Sequence, residues 1–303
     1  MKKNPLVSVI INNYNYGSFL GEAIDSSLKQ TYPNVEVIVV DDGSTDNSRQ
    51  VIASYQDEII PILKENGGQA SAFNTGFAAS KGDIICFLDA DDMFIPEKAE
   101  IVVDVFQSYP ESGWCFHPLK IVDTNAKTLL EINCKDSSRE CDFRNHIEKK
   151  GKLPFAAPAT SGLCFTRQLL EQILPMTEAQ KVSLGDHYLK FMASALSKGY
   201  FLNQQLSLQR LHSNNAYTQR QGKDQLKAQI LILTAQAMRH KLPQTARFTN
   251  KIFARGISTY WRINTLEVEA KSAIQNYLNS SSPIERIEIH SRAFYRYIFP
   301  SSL

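Results

Sequence analysis

The chain predicts an α/β fold, a mostly parallel sheet flanked by helices, carrying an α-helical C-terminal appendage. Three observations predict it. Short apolar runs at 7–11, 35–40 and 84–88 alternate with segments of helical spacing through the first 110 residues. Each run is followed by a polar cluster, so the clusters gather at the carboxyl edge of the sheet, where ligands bind in folds of this kind. From Asp224 onward the apolar spacing is helical throughout.

The elements follow in order. Val7-Ser8-Val9-Ile10-Ile11 reads as the first strand, and Leu20, Ile24 and Leu28 set a helix over 19–30. Residues 35–40 form the second strand, and Ser44 or Thr45 caps a helix running to Tyr55. A short third strand, Ile59 to Leu63, is broken by Pro61; a helix from Gln69 to Ser80 and the apolar strand Ile84 to Leu88 come next, then a helix from Glu97 to Tyr109. Such alternation implies right-handed crossovers between parallel strands. Beyond it the pattern loosens. Gly113 to Val122 predicts a strand, 123–153 a polar excursion or lid, Thr160 to Phe165 a strand, Leu184 to Leu196 a helix and Phe201 to Arg210 an extended segment. Helices are predicted at Asp224–His240, Thr245–Tyr260, Leu266–Leu278 and Pro283–Tyr297.

Composition is that of an ordinary globular protein, 303 residues with 43% hydrophobic and 21% charged, and the net charge is only +2. The distribution says more. Residues 216–303 hold 13 Lys and Arg against 5 Asp and Glu, a net +8, which leaves −6 for residues 1–215. The five cysteines, Cys86, Cys115, Cys134, Cys141 and Cys164, make no C-x-x-C pair. This argues against a zinc site or a disulfide framework and for a reducing, cytoplasmic compartment. The first apolar stretch ends at Asn12, too short for a signal peptide, and no run approaches the length of a membrane-spanning helix.

The densest chemistry is Asp89-Ala90-Asp91-Asp92, directly after the apolar strand. Carboxylates crowded at a buried strand end are costly unless a positive charge sits among them. A divalent cation with a phosphate is one such partner; a solvated acidic turn capping the next helix is the other.

Four motifs in order turn this choice. They are Val7 through Asn15, Val39-Val40-Asp41-Asp42-Gly43-Ser44-Thr45-Asp46, Asn66-Gly67-Gly68 through Asn74, and Gly82 through Asp92 with Pro96. Residues 5–110 thereby resemble the nucleotide-binding half of the family 2 glycosyltransferases, which have the GT-A fold. The resemblance continues more weakly to about residue 215 and does not cover 216–303. It divides the chain into a transferase domain, 1–215, with a nucleotide-binding half to about 110 and an acceptor half from 111, and a basic helical region, 216–303.

The resemblance implies inverting, metal-assisted transfer of a sugar from a nucleotide-diphosphate donor to a saccharide or lipid-linked acceptor, in polysaccharide, cell-wall or glycoconjugate synthesis. By position, Asp42 is similar to the acid that contacts the base, Asn12 and Tyr14 lie on the loop around base and ribose, and Asp89 is similar to the acid near the ribose. Asp91, with Asp92 behind it, resembles the metal-binding acid, for Mn2+ or Mg2+. Asp186 in Gly185-Asp186-His187 resembles the family's catalytic base, with Gly185 where the family usually has Glu; capping of the following helix is its other role. Arg210 and His212 resemble the Arg-x-His element that closes over the diphosphate. A further departure is Phe73, where the family often has Arg.

Two other functions compete. A sugar nucleotidyltransferase wants a Gly-rich, Arg-containing loop after the first strand, where this chain has Asn12-Asn13-Tyr14-Asn15-Tyr16-Gly17. A non-catalytic sugar-nucleotide-binding protein would not need both Asp91 and Asp186. For the basic tail, Arg286, Arg292 and Arg296 among Phe294, Tyr295, Tyr297 and Phe299 suit peripheral contact with the inner face of a membrane. The alternatives are a solvated face or a homo-oligomer contact. No motif supports nucleic-acid binding.

Overall fold

The computed structural model describes residues 3–130, 137–154, 158–177, 184–213, 215, 222–263 and 268–299. In chain order the elements are β1 (Val7–Asn13), α1 (Gly17–Leu28), β2 (Val35–Asp42), α2 (Ser48–Ser54), β3 (Ile60–Lys64), α3 (Gly68–Ala79), β4 (Ile84–Asp89), β5 (Met93–Phe94) and α4 (Lys98–Ser108). Then come β6 (Trp114–Phe116), β7 (Leu119–Val122), β8 (Thr128–Leu130), β9 (Arg139–Cys141), β10 (Leu163–Thr166), α5 (Arg167–Ile173), α6 (Asp186–Leu196), β11 (Gly199–Phe201) and β12 (Ser207–Arg210). Four helices close the chain: α7 (Lys223–Lys241), α8 (Ala246–Ile263), α9 (Val268–Asn279) and α10 (Pro283–Ile298).

An eight-stranded sheet in the order β3-β2-β1-β4-β10-β6-β11-β9 forms the spine. Its first four strands are parallel, as their near-continuous apolar sequences require of strands covered on both faces. β10 runs antiparallel between β4 and β6. The register sets Asn12 opposite Asp89 and Asn13 opposite Asp41, which brings three polar strand ends to one rim. A second, four-stranded sheet, β5-β12-β7-β8, stands beside that rim.

The predicted strand over 113–122 is in fact two. It breaks at His117-Pro118, and β6 joins the large sheet while β7 joins the small one. Proline supplies no ladder N–H, which suits a point where a chain leaves one sheet for another. The extended segment 201–210 divides in the same way between β11 and β12. The polar stretch 123–153 contributes β8, β9 and one wide helical turn at His146–Lys150. The helix expected after Ser44 starts later, at Ser48, because Asp46 Oδ1 accepts from the Ser48 backbone N–H at 2.9 Å and holds the preceding residues in a loop. The tail helices lie close to where their spacing predicts; residues 264–267, at the start of the third, lie outside the described residues.

Two apolar cores sandwich the large sheet. One packs α1, α2 and α4 through Leu20, Ile24, Ile52, Val102 and Phe106. The other runs from Ile10, Phe73 and Phe87 through Leu189 and Met192 of α6 to Ile232, Phe253 and Tyr277 of the last helices, so the appendage shares the interior of the sheet. Phe191 meets Phe248 edge to face, centroids 5.2 Å apart. Phe73 is fully buried against Phe87 at 4.5 Å, a core residue of α3. Cys86, Cys164 and Cys115 lie side by side across β4, β10 and β6, all free and buried. Among the described residues, no helix is long and apolar enough to cross a membrane.

Candidate active site

The rim is built from loops stitched to one another. Asn13 Nδ2 donates to Asp41 Oδ1 at 2.9 Å and to Ser44 Oγ at 3.1 Å, while the Asn15 backbone N–H donates to Ser44 Oγ at 2.9 Å. Gly43, between Asp42 and Ser44, has φ 81°, a conformation glycine adopts without strain. Tyr14, at the crest of the β1 loop, is 48% exposed, so its ring is free to receive a flat ligand.

Asp42 is buried and heavily engaged. Its carboxylate accepts from the Gly67 and Gly68 backbone N–H groups at 3.0 and 2.7 Å and pairs with Lys64 Nζ at 2.6 Å. It therefore fixes the Gly67-Gly68 turn that opens α3. Asn12 and Asp89, paired by the strand register, are joined by Asn12 Nδ2 to Asp89 Oδ1 at 3.0 Å. Gln69 Nε2 reaches the same oxygen at 3.4 Å. The other amide atom of Asn12, Oδ1, is buried with no hydrogen-bond partner among the described residues.

The three acids after β4 diverge. The Asp92 backbone N–H donates to Asp89 O at 3.0 Å and closes a turn. Asp92 then points inward: Oδ2 accepts from Ser161 Oγ at 2.6 Å, and Oδ1 from the Arg210 backbone N–H at 3.0 Å. Asp91 instead meets His212 Nε2 at 3.1 Å and Asn215 Nδ2 at 3.0 Å, both on its Oδ2. Ser161 also receives the Asp89 backbone N–H at 3.1 Å, and its carbonyl accepts from buried Lys98 Nζ at 2.8 Å. The turn thus rests on a serine and a lysine from other elements.

Arg210 ends β12 and His212 follows it. Arg210 is 1% exposed and laces beneath the acidic turn. Its Nε donates to Asp91 O at 3.1 Å, Nη2 to Glu22 Oε2 at 2.8 Å and Nη1 to Thr124 O, and its guanidinium lies over the Phe19 ring. His212 is packed between Phe19 and Tyr16, with centroids 4.6 and 5.7 Å away, and its Nε2 is turned to Asp91. The start of α1 therefore positions both.

Asp186 is the first residue of α6, after the N-cap Gly185. Its Oδ1 faces His187 Nδ1 at 2.9 Å and its Oδ2 accepts from Lys190 Nζ at 2.8 Å, one helical turn on. Lys190 is itself buried and also donates to Pro158 O at 3.0 Å.

Electrostatics separate the acids. Burial and the neighbouring charges of Asp91 and Asp186 push Asp89 up to about 7, against hydrogen bonds from Asn12 and Thr160. Burial and the charges of Asp91 and Asp89 push Asp92 well above the ordinary carboxylate range. Asp186 goes the other way: burial would raise it, but the Lys190 charge and His187 outweigh burial and hold the carboxyl well below its usual range. Gln69 links the two elements, its Nε2 on Asp89 and its Oε1 beside Gly185 at the start of α6.

Among the described residues, no group of three or more His, Cys, Asp or Glu side chains could hold a metal ion. The donors present do suit a half-built site. A carboxylate and an imidazole nitrogen converge at Asp91 and His212, a pairing that serves Mn2+ and leaves positions for phosphate oxygens. Burial first, then the Asp91 charge, raises Asp89, so a cation at this rim would favour its ionised form.

The structure thus brings Asn12, Asp89, Asp91, His212 and Asp186 around one rim, with Tyr14 exposed above it, and seats Asp92 and Arg210 underneath. Ser161, Lys98 and Lys190 also shape the site, beyond the residues that the sequence points to. Lys190 carried a signal, standing at i+4 from Asp186 where a helix sets charges face to face; Ser161 and Lys98 carried none.

The model of the family described as glycosyl transferase family 2 matches residues 8–173. An uncharacterized glycosyltransferase of Nostoc sp. is 39% identical over 213 residues, covering 69% of this chain and 66% of that protein. One from Rickettsia prowazekii is 34% identical over 228 residues, covering 70% and 67%. The chain thus aligns with about two thirds of the length of either. The fold is similar to Staphylococcus aureus TarS 1-349 in complex with UDP-GlcNAc, with a TM-score of 0.66, 17% identity and coverage of 96% of this chain and 89% of that one. It is also similar to the mannosyltransferase PcManGT of Pyrobaculum calidifontis in complex with GDP-Man and Mn2+, with a TM-score of 0.54, 16% identity and coverage of 99% and 89%. Sheet, rim and family model agree: this chain belongs to glycosyl transferase family 2 and has a fold of the GT-A type.

Proposed function

We propose that this glycosyltransferase moves a sugar from a nucleoside-diphosphate donor to an acceptor hydroxyl with inversion at the anomeric carbon, assisted by Mn2+ or Mg2+. The carrying observation is the division of acids, with Asp91 turned to His212 on the strand side and Asp186 held ionised on the helix side. The TarS and PcManGT complexes, which hold UDP-GlcNAc and GDP-Man, support the donor class.

On this reading Tyr14 offers its ring to the base, and Asn12 and Asp89 receive the ribose. Asp91 and His212 hold the cation, which when bound neutralises charge building on the departing diphosphate. Asp92 and Arg210 act as positioning residues that keep the acidic turn in shape. Asp186 takes the proton of the attacking hydroxyl as the new C–O bond forms and the bond to the diphosphate oxygen breaks on the opposite face. A carboxylate held this low is a weak base, so the proton moves late, once the attacking oxygen has become acidic. We assign the transfer to residues 1–215, and place 216–303 beside the acceptor, a saccharide or lipid-linked hydroxyl of a cell-wall, polysaccharide or glycoconjugate pathway.

A panel of nucleotide sugars with and without manganese, read as thermal shift and as release of nucleoside diphosphate on adding acceptors, tests the proposal. Selective stabilisation with acceptor-dependent release supports it. Stabilisation with no release under any acceptor marks a sugar-nucleotide-binding protein, and no stabilisation removes the donor site.

A further inference from the structure

The outer face of α10 is apolar where a surface helix should be polar. Ile284, Ile287, Phe294, Tyr295 and Ile298 recur at spacings of three, four and seven and share one side. They are 80, 69, 58, 64 and 48% exposed. The opposite side is satisfied, since Ile289 and Ala293 are buried in the core that α10 shares with α8. The helix is firmly set by a capping box between Ser282 and Glu285, and Glu285 is clamped by Arg239 at 2.9 and 3.1 Å. The stripe therefore belongs to an ordered helix rather than a frayed end.

Cations run alongside it. Arg247, Lys251, Arg255 and Arg262 line an edge of α8 next to Arg292 and Arg296 of α10. Arg247, Lys251, Arg262 and Arg286 donate to the carbonyls of Lys149, Lys150, Arg296 and Ser281 rather than to acids. Glu288 pairs with Arg292 at 2.8 Å and also acts on Lys251. Burial and the charges of Arg292, Arg247 and Lys152 push Lys251 down, and burial with Arg296 does the same to Arg255. Among the described residues, the positive charge around the stripe is thus crowded, with Glu288 as its near acid.

We propose that this face docks on an anionic lipid bilayer, with the α10 stripe at the boundary of headgroups and acyl chains and the flanking cations on the headgroup phosphates. An interfacial helix requires this combination of an apolar face with aromatic residues and basic flanks. A second copy fits poorly, because a two-fold contact sets a patch against itself and would press these cations on their own images. Docking deepens the proposed function by favouring a lipid-linked acceptor, but its test does not depend on that function.

The full-length chain is sedimented with vesicles of phosphatidylcholine alone or mixed with phosphatidylglycerol. Binding is expected only to the anionic vesicles, weakening with salt. Trp261, 37% exposed and 6.2 Å from Tyr297, should shift its emission to the blue, while buried Trp114 stays constant. Ile284→Ser, Ile287→Ser and Phe294→Ser combined should weaken partitioning by about tenfold or more. Lys251→Gln with Arg262→Gln should flatten the salt dependence. Leu129→Ser with Leu130→Ser, an exposed apolar pair on β8, should change nothing. No binding of the native chain to anionic vesicles, or equal binding by the stripe variant, overturns the proposal. So does a native dimer in solution that the stripe variant abolishes without vesicle binding. The donor-induced thermal shift, measured on the same variants, should be unchanged, so loss of docking and loss of donor binding are told apart.

Discussion

Gln69 Oε1 fills the space beside Gly185: a Cβ on that glycine would stand 2.3 Å from it. Gly185 has φ −142°, open to any residue, so a larger side chain would meet the end of Gln69 and not a backbone restriction. The other end of Gln69 touches Asp89. One side chain therefore spans from the strand acid to the N-cap of α6, in the place where the family usually has Glu. Gly185→Ala should swing the flexible end of Gln69 aside, off Asp89, at a cost of about 1 kcal/mol or less. Gln69→Ala in the same chain should restore most of the loss. Thermal denaturation of the two single variants and the double one measures the coupling, and purely additive effects would remove the contact.

Asp91→Asn should lower metal-supported release of nucleoside diphosphate by about a hundredfold. Its melting temperature should hold, because His212 and Asn215 can still bond the amide. Asp92→Asn should behave in the reverse manner. Its partners are Ser161 and the Arg210 backbone N–H, so the loss should appear as about 1–3 kcal/mol of stability with or without manganese.

Asp186→Asn should retain the donor-induced thermal shift and lose transfer. Lys190→Met tests how the carboxylate is tuned. The Lys190 charge and His187 hold Asp186 low against burial, so removing the lysine moves its titration upward. The acidic limb of the pH–rate profile should shift to higher pH while the donor-induced shift is kept. An unmoved limb would dissociate Asp186 from that titration.

Glu285 makes stability depend on pH. Its bonds to Arg239, then to the Ser282 backbone N–H and Asn250, outweigh burial and hold it at about 2, below its ordinary 4.5. A lowered carboxyl stabilises the fold above its unfolded value, and that stability is lost as pH falls from about 4.5 through about 2. Glu285→Gln should be less stable than the native chain by about 2 kcal/mol near neutrality and converge with it in acid, as followed by denaturant titration across pH.

Much of this fold was legible because its signals are local. The parallel strands are continuous apolar runs, and the acids that follow them announce the rim. The places of Asp91, Asp186 and His212 in the fold could be read because each stands on a motif at the end of a regular element. Asp92 and Arg210 looked equally suited to ligands, yet both turn inward. What decides between them is Ser161, Glu22 and Thr124, which stand 69, 188 and 86 residues away from the side chains they hold. No spacing in a single sequence reports such partners. The break at Pro118 was visible as a proline, but its destination in a second sheet depended on β12, which lies far along the chain.

The interior running from β1 to α9 bears on how the basic region can be studied. Phe248, Phe253 and Tyr277 are buried with Leu189 and Met192, on the helix that carries Asp186. A protein truncated after Asn215 would leave the back of that helix wet and greasy, and its failures would say as much about misfolding as about membranes. Whatever the last helices do for localisation, they also serve as the wall against which α6 leans.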